Sequence, residues 1–90
     1  MARINVKGAQ VNAPTGTGAA TNLSKATCVY IINTNASVQL VTIQDDAGSP
    51  TTLGTFTIGA GASHFLEKNP TDEIFAASAD VKLTPVAMVP

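Results

Sequence analysis

The sequence predicts a small all-β domain, an antiparallel β-sandwich or barrel of about seven or eight short strands with an extended N-terminal arm. Apolar residues alternate with period two over most of the chain after residue 25, and turn-forming residues interrupt them at intervals of about ten residues. No stretch carries a helical period of useful length.

Ninety residues fit one domain, near the lower end of sizes that fold without metal or disulfide help. With 44% hydrophobic and only 12% charged residues, the composition is far from a disordered profile and predicts a poorly charged surface.

Residues 1–25 form a first unit: a short extended piece, Arg3 to Lys7, followed by a Gly/Ala/Thr-rich stretch from Gly8 to Asn22. Small residues bury too little apolar surface to offset the entropy of ordering them, so this stretch reads as a surface loop or as an arm that docks on another subunit. Residues 26–90 form the sandwich body, within a single domain overall.

In the body, Ala26 to Thr34 is apolar on both alternating faces and predicts a strand covered on both sides or lying centrally. Asn33 to Ser37 supplies turn residues, asparagine tolerating positive φ, so a hairpin is expected with Val38 to Asp45 as its return strand. Thr51 to Ile58 alternates Gly54, Phe56 and Ile58 against Leu53, Thr55 and Thr57, which predicts a half-buried strand with a threonine-rich outer face. Gly59 to Ala62 is a corner, Ser63 to Lys68 a short strand, and Asn69-Pro70-Thr71-Asp72 breaks it. Glu73 to Ala77 and Val81 to Val89 complete the set, with Ala79-Asp80 as a tight turn and Pro85 marking an edge strand or a bulge.

The catalytic vocabulary is sparse. His64 is the only histidine and Cys28 the only cysteine, so no internal disulfide and no zinc site made of thiolates can form. Cys28, in an apolar strand without a basic sequence neighbour, reads as a small buried hydrophobe, and His64, beside Phe65, as a packing residue. Asp45-Asp46 and Asp72-Glu73 lack the spacing of a calcium loop. Gly16-Thr17-Gly18 and Gly59-Ala60-Gly61 lack the helix and the lysine of a phosphate loop. No catalytic, cofactor or metal residue is assigned, and a noncatalytic protein is expected.

Net charge is −1 and the estimated pI 5.5, with Arg3, Lys7, Lys25, Lys68 and Lys82 scattered, so no nucleic-acid partner is expected. Residues 1–6 lack the apolar core of a signal peptide and no run approaches a membrane span of about 18 residues, which predicts a soluble chain with no membrane partner, beginning at its mature N-terminus. Four charged residues, Glu67, Lys68, Asp72 and Glu73, crowd one short run. They invite an active-site reading, but Lys68 and Asp72 bracket Asn69, Pro70 and Thr71 as a structural corner, with a weak local ion pair possible between them.

A thin domain with few charges and many small residues is suited to be one tile in an assembly, where repetition multiplies weak contacts. Candidate interface residues are Arg3, Ile4, Val6, Lys7 and Val11 near the N-terminus and Met88 and Val89 in the apolar C-terminal run, which completes the last strand or inserts into a neighbour.

The elements Val29-Tyr30-Ile31-Ile32-Asn33, Gly54-Thr55-Phe56-Thr57-Ile58, Gly59-Ala60-Gly61 and Lys68-Asn69-Pro70-Thr71-Asp72-Glu73-Ile74-Phe75-Ala76 follow one another in order. In this the chain resembles small virion structural proteins of tailed bacteriophages, particularly marine and cyanobacterial phages. The resemblance runs from Val29 to Val89 and implies a β-sandwich particle component, a head decoration or cement protein. Its implied partners are the major capsid protein and copies of itself in a lattice, as a homo-oligomer of which a trimer is one form. It implies residence in the virion, assembled in the cytoplasm of the bacterial host. Two alternatives stay open: a neck, tail or fibre component, and a small carbohydrate- or ligand-binding sandwich, which the scarcity of aromatic residues disfavours.

Overall fold

The computed structural model describes residues 3–89, with side chains as far as Ala87. Eight strands follow in order: β1 (Arg3–Val6), β2 (Val11–Asn12), β3 (Cys28–Asn33), β4 (Gln39–Gln44), β5 (Thr52–Ile58), β6 (Ser63–Glu67), β7 (Glu73–Ala76) and β8 (Val81–Val89). A single 3₁₀ turn covers Thr17–Ala19. The strands form two antiparallel sheets, one ordered β1-β8-β3-β6 with β2 also on β8, the other ordered β5-β4-β7. The architecture is a sandwich, and no barrel closes.

Period-two alternation puts one set of side chains between the sheets. Val29 and Ile31 of β3 and Val81 and Leu83 of β8 meet Val41 of β4, Ile58 of β5, and Ile74 and Ala76 of β7, all fully buried. Ala13 and Leu23 join this core from the N-terminal segment, with Ile43, Phe56 and Leu66 packed partly against it. Burying each large aliphatic side chain contributes about 1.5–3 kcal/mol.

The expected hairpin between Ile32 and Val38 is corrected by the pairing. β3 bonds β6 and β8 while β4 bonds β5 and β7, so the connection from residue 34 to 38 crosses between sheets. The cause lies in Asn33, which ends β3 fully buried and not in a left-handed turn conformation. Its Nδ2 donates to the carbonyls of Ser37 (2.9 Å), Ile58 (3.0 Å) and Gly59 (3.3 Å), and its Oδ1 accepts from the Asn35 N–H (2.9 Å). A polar side chain spent on both sheets pins the crossover where a turn residue would have closed a hairpin.

β8 is not an edge strand, yet Pro85 lies in its middle. Val6 stands opposite Val86 and Val11 opposite Leu83, so the four residues 7–10 bulge against the two residues 84 and 85. The Pro85 carbonyl accepts from Lys7 N–H at 2.8 Å, so its ring nitrogen, which has no proton, faces this bulge. Gly8 packs closely there: a Cβ would come to 3.0 Å from Pro85 Cγ, so a side chain would need the ring to give by a few tenths of an ångström.

The N-terminal segment is fastened to its own body. The Ala13 N–H donates to Val81 O on one sheet, Pro14 O accepts from Ala76 N–H on the other, and Thr21 and Ile74 exchange two backbone bonds. Between them Gln44, buried in β4, accepts from the Thr17 hydroxyl and donates to Thr17 O (3.0 Å) and to Glu73 Oε1 (3.0 Å). Of the two sequence readings, surface loop and docking arm, residues 13–22 run as a surface connection that closes one side of the sandwich.

Candidate functional site

The strongest candidate is a surface rather than a cleft. Cross-strand partners share a face, so the registers Val6↔Val86, Tyr30↔Thr84, Tyr30↔Phe65 and Ile32↔Lys82 define the side of the larger sheet that faces away from the core. Ile4 and Val6 lie on it, 41% and 64% exposed, with half-buried Cys28, Tyr30 and Ile32 on β3 and Phe65, 49% exposed, on β6. The Tyr30 and Phe65 rings lie 5.1 Å apart, tilted by 50°. Charge enters only from Lys82, whose amine donates to Asn12 Oδ1 (2.7 Å), and from Glu67 opposite Cys28, at opposite ends of the strands. Between Val6 and Tyr30 on this face lie Thr84 and Val86 of β8, both buried, so the exposed apolar groups are Ile4 and Val6 at one edge and Phe65 with half-buried Tyr30 toward the other.

The structure brings part of the predicted interface set together. Arg3, Ile4 and Val6 stand on β1 directly opposite the Val86–Val89 stretch of β8. Lys7 opens the bulge and Val11 follows it, Val11 being 41% exposed beside Leu83 rather than on the apolar face. The side chains of Met88 and Val89 lie outside the described residues. Sequence reasoning missed Tyr30, Ile32 and Phe65 as surface candidates, because an apolar strand reads as core until its register assigns one face outward.

Lys68 to Asp72 make the corner between β6 and β7. The Asp72 N–H donates to Asn69 O (3.1 Å), Pro70 occupies the second turn position, and Asp72 Oδ2 accepts from Asn69 N–H (3.3 Å). Lys68 is only 8% exposed, and its amine donates to Asn69 O (3.2 Å) and Pro70 O (3.5 Å). Burial holds this amine below the ordinary lysine value, opposed by attraction from Asp72. These carbonyl contacts replace a direct Lys68–Asp72 hydrogen bond, and the carboxylate acts on the amine through space.

The geometry separates the groups that nucleophilic chemistry would join. Cys28 points to the outer face of the larger sheet, and half-buried rather than in the core as expected, whereas His64, opposite Ile31, points inward and sets its ring edge-on to Phe56 at 6.3 Å. A base and a nucleophile on opposite faces of one sheet cannot exchange a proton. Among the described residues, no three His, Cys, Asp or Glu side chains gather as a metal ion would require.

A shallow cleft lies between the Gly8 bulge and the loop from Thr21 to Thr27, with Lys7 and Lys25 at its rim. In that loop Leu23, Ser24 and Lys25 take φ of 56°, 57° and 61°, a full left-handed turn closed by the Ala26 N–H on Asn22 O (3.2 Å). Buried Leu23 anchors it in the core. Comparison of the chain with family models, curated proteins and solved structures returned no match.

Proposed function

We propose that the protein is a noncatalytic structural component of a tailed-bacteriophage virion, a decoration or cement protein on the outer surface of the head. The observation that carries this reading is the apolar outer face of the larger sheet, centred on Tyr30 and Phe65 and continued by Ile4 and Val6. The ordered motifs from Val29 to Ala76 that resemble phage particle proteins support the same assignment.

The mechanism is burial. An apolar sheet face set against the major capsid protein removes surface from water at about 25 cal/mol per Å², with aromatic side chains at its centre contributing most. Part of that gain is spent on lost rigid-body freedom, so a single copy binds modestly. Many copies on a lattice then resist opening of the shell by their sum. Residues 13–22 are committed to their own sandwich, which supports a reading in which the contact is made by the sheet face and the β1 edge rather than by a free arm.

Loading of purified protein onto empty capsids that lack it tests the proposal, read as copies per particle by quantitative mass spectrometry. Wild type is expected to bind at a fixed stoichiometry, and Val6→Asp with Phe65→Asp to lose that binding while keeping the strand circular dichroism. Absence of wild-type binding, or full binding by the folded double variant, would overturn it.

A further inference from the structure

We infer that β5 is the seam of a two-fold dimer, in which two copies pair their β5 strands antiparallel about Phe56 to make one continuous six-stranded sheet. The four sheet edges of this molecule are treated differently. The β7 edge is covered by Pro14 and Thr21 of the same chain. β1 offers only four residues, Arg3–Val6, next to Lys7, and β6 five residues ending in Glu67 beside Lys68. β5 offers seven residues, TLGTFTI, with no charge and no proline. Edges that must stay single are normally defended by charge, proline, brevity or a bulge; this one bulges at Leu53, but its regular stretch Gly54 to Ile58 carries neither charge nor proline.

The free backbone groups of that edge can be assigned. The Leu40 carbonyl accepts from Ala77 N–H, so Leu40 and Thr42 turn their backbone groups toward β7 and the alternate residues Gln39 and Val41 turn toward β5. Their partners Ile58 and Phe56 turn back to β4, which leaves the N–H and C=O of Thr55 and Thr57 pointing outward. The register shift between Ile43 and Gln44 sets Leu53 out as a bulge, so Gly54 to Ile58 is the regular part of the edge.

That regular part suits a second copy of itself. Thr-Phe-Thr reads alike in both directions, so a two-fold axis at Phe56 sets Thr55 of one copy opposite Thr57 of the other, twice, and each pair exchanges two backbone hydrogen bonds. An isologous contact brings each residue near its own copy and penalises any charge; from Thr51 to Leu66 there is no Asp, Glu, Lys or Arg. Phe56 is only half-buried in the monomer and meets its own copy across the seam, and nothing lies within 4 Å of where a Gly54 side chain would project. The inference stands apart from the virion reading, because it concerns the isolated protein.

Sedimentation equilibrium of the purified chain, paired with hydrogen exchange, tests it. Thr55→Pro removes an N–H that β4 does not use, and Thr57→Lys brings two cations to the seam, so both variants keep the ladder inside the monomer. Wild type is expected at the mass of two copies with Thr55 and Thr57 amides exchanging about tenfold or more slowly than in the dissociated protein. Each folded variant is expected at the mass of one copy. A wild type of one or three copies, or a dimer that survives in both variants, overturns the proposal. So does a monomer whose Thr55 and Thr57 amides become protected only on mixing with empty capsids, since the edge then belongs to another protein.

Discussion

Replacing Asn33 by alanine should be among the most damaging single changes in this domain. The side chain makes three good hydrogen bonds, to Ser37 O, Ile58 O and Asn35 N–H, and a longer one to Gly59 O, all around a fully buried site. At about 1 kcal/mol net for each of the three good bonds the loss is about 3 kcal/mol, the Ile58 carbonyl keeping its ladder partner on β4. A domain of this length holds about 5–13 kcal/mol in total. Equilibrium urea unfolding followed by circular dichroism measures the difference, and at a slope of about 1 kcal/mol per molar the midpoint should fall by about 3 M or leave the variant unfolded in buffer. Asn33→Leu keeps the volume without the donor and should behave alike. A midpoint drop below about 1 M in the alanine variant, or a leucine variant as stable as wild type, would refute the hub role and return Asn33 to an ordinary turn residue.

Lys68 gives a pH signature. Its amine is held below the ordinary value of about 10.4 by burial, so between the folded and unfolded values the unfolded chain binds more protons. The resulting penalty is present in full at neutral pH and is relieved as pH rises through the folded value, so wild type should gain stability relative to Lys68→Met between pH 7 and 10. A difference that stays constant, or moves the other way, contradicts the burial argument. Ser24 sits at φ 57° inside a left-handed turn that costs a non-glycine residue about 1–2 kcal/mol. Ser24→Gly relieves this at an entropic cost of about 0.5–1 kcal/mol, so the melting temperature should rise by a few degrees, opposite to the usual glycine effect, and a fall would count against the strain.

The strands of the body were legible because period-two alternation and turn residues are local. Cys28–Asn33, Gln39–Gln44, Thr52–Ile58 and Val81–Val89 fall within two residues of the bounds expected from sequence. Pairing was not legible, since it depends on partners far along the chain: β3 and β4 look like a hairpin until buried Asn33 is seen to hold Ile58 and Ser37 together. β2 and the Thr17–Ala19 turn were hidden in small residues with weak propensity of their own, and tertiary bonds to Val81 and Gln44 order them. The apolar face was hidden differently. Tyr30 and Ile32 have core chemistry, and only the register reveals that they face out.

The pairing of β1 with β8 carries a kinetic consequence. Arg3 lies against Val89 and Val6 against Val86, so the first strand acquires its partner only when residues some eighty positions further on have emerged and folded back. During synthesis at the ribosome the N-terminal strand must therefore wait as an unpaired apolar segment, and closing so long a loop sets a slow, late step in folding. The same adjacency makes the two strands a natural splice point. A circular permutant that joins β8 to β1 through a short linker and opens at Ala47-Gly48 turns the slowest pairing into a local hairpin, and should fold faster while keeping the sandwich.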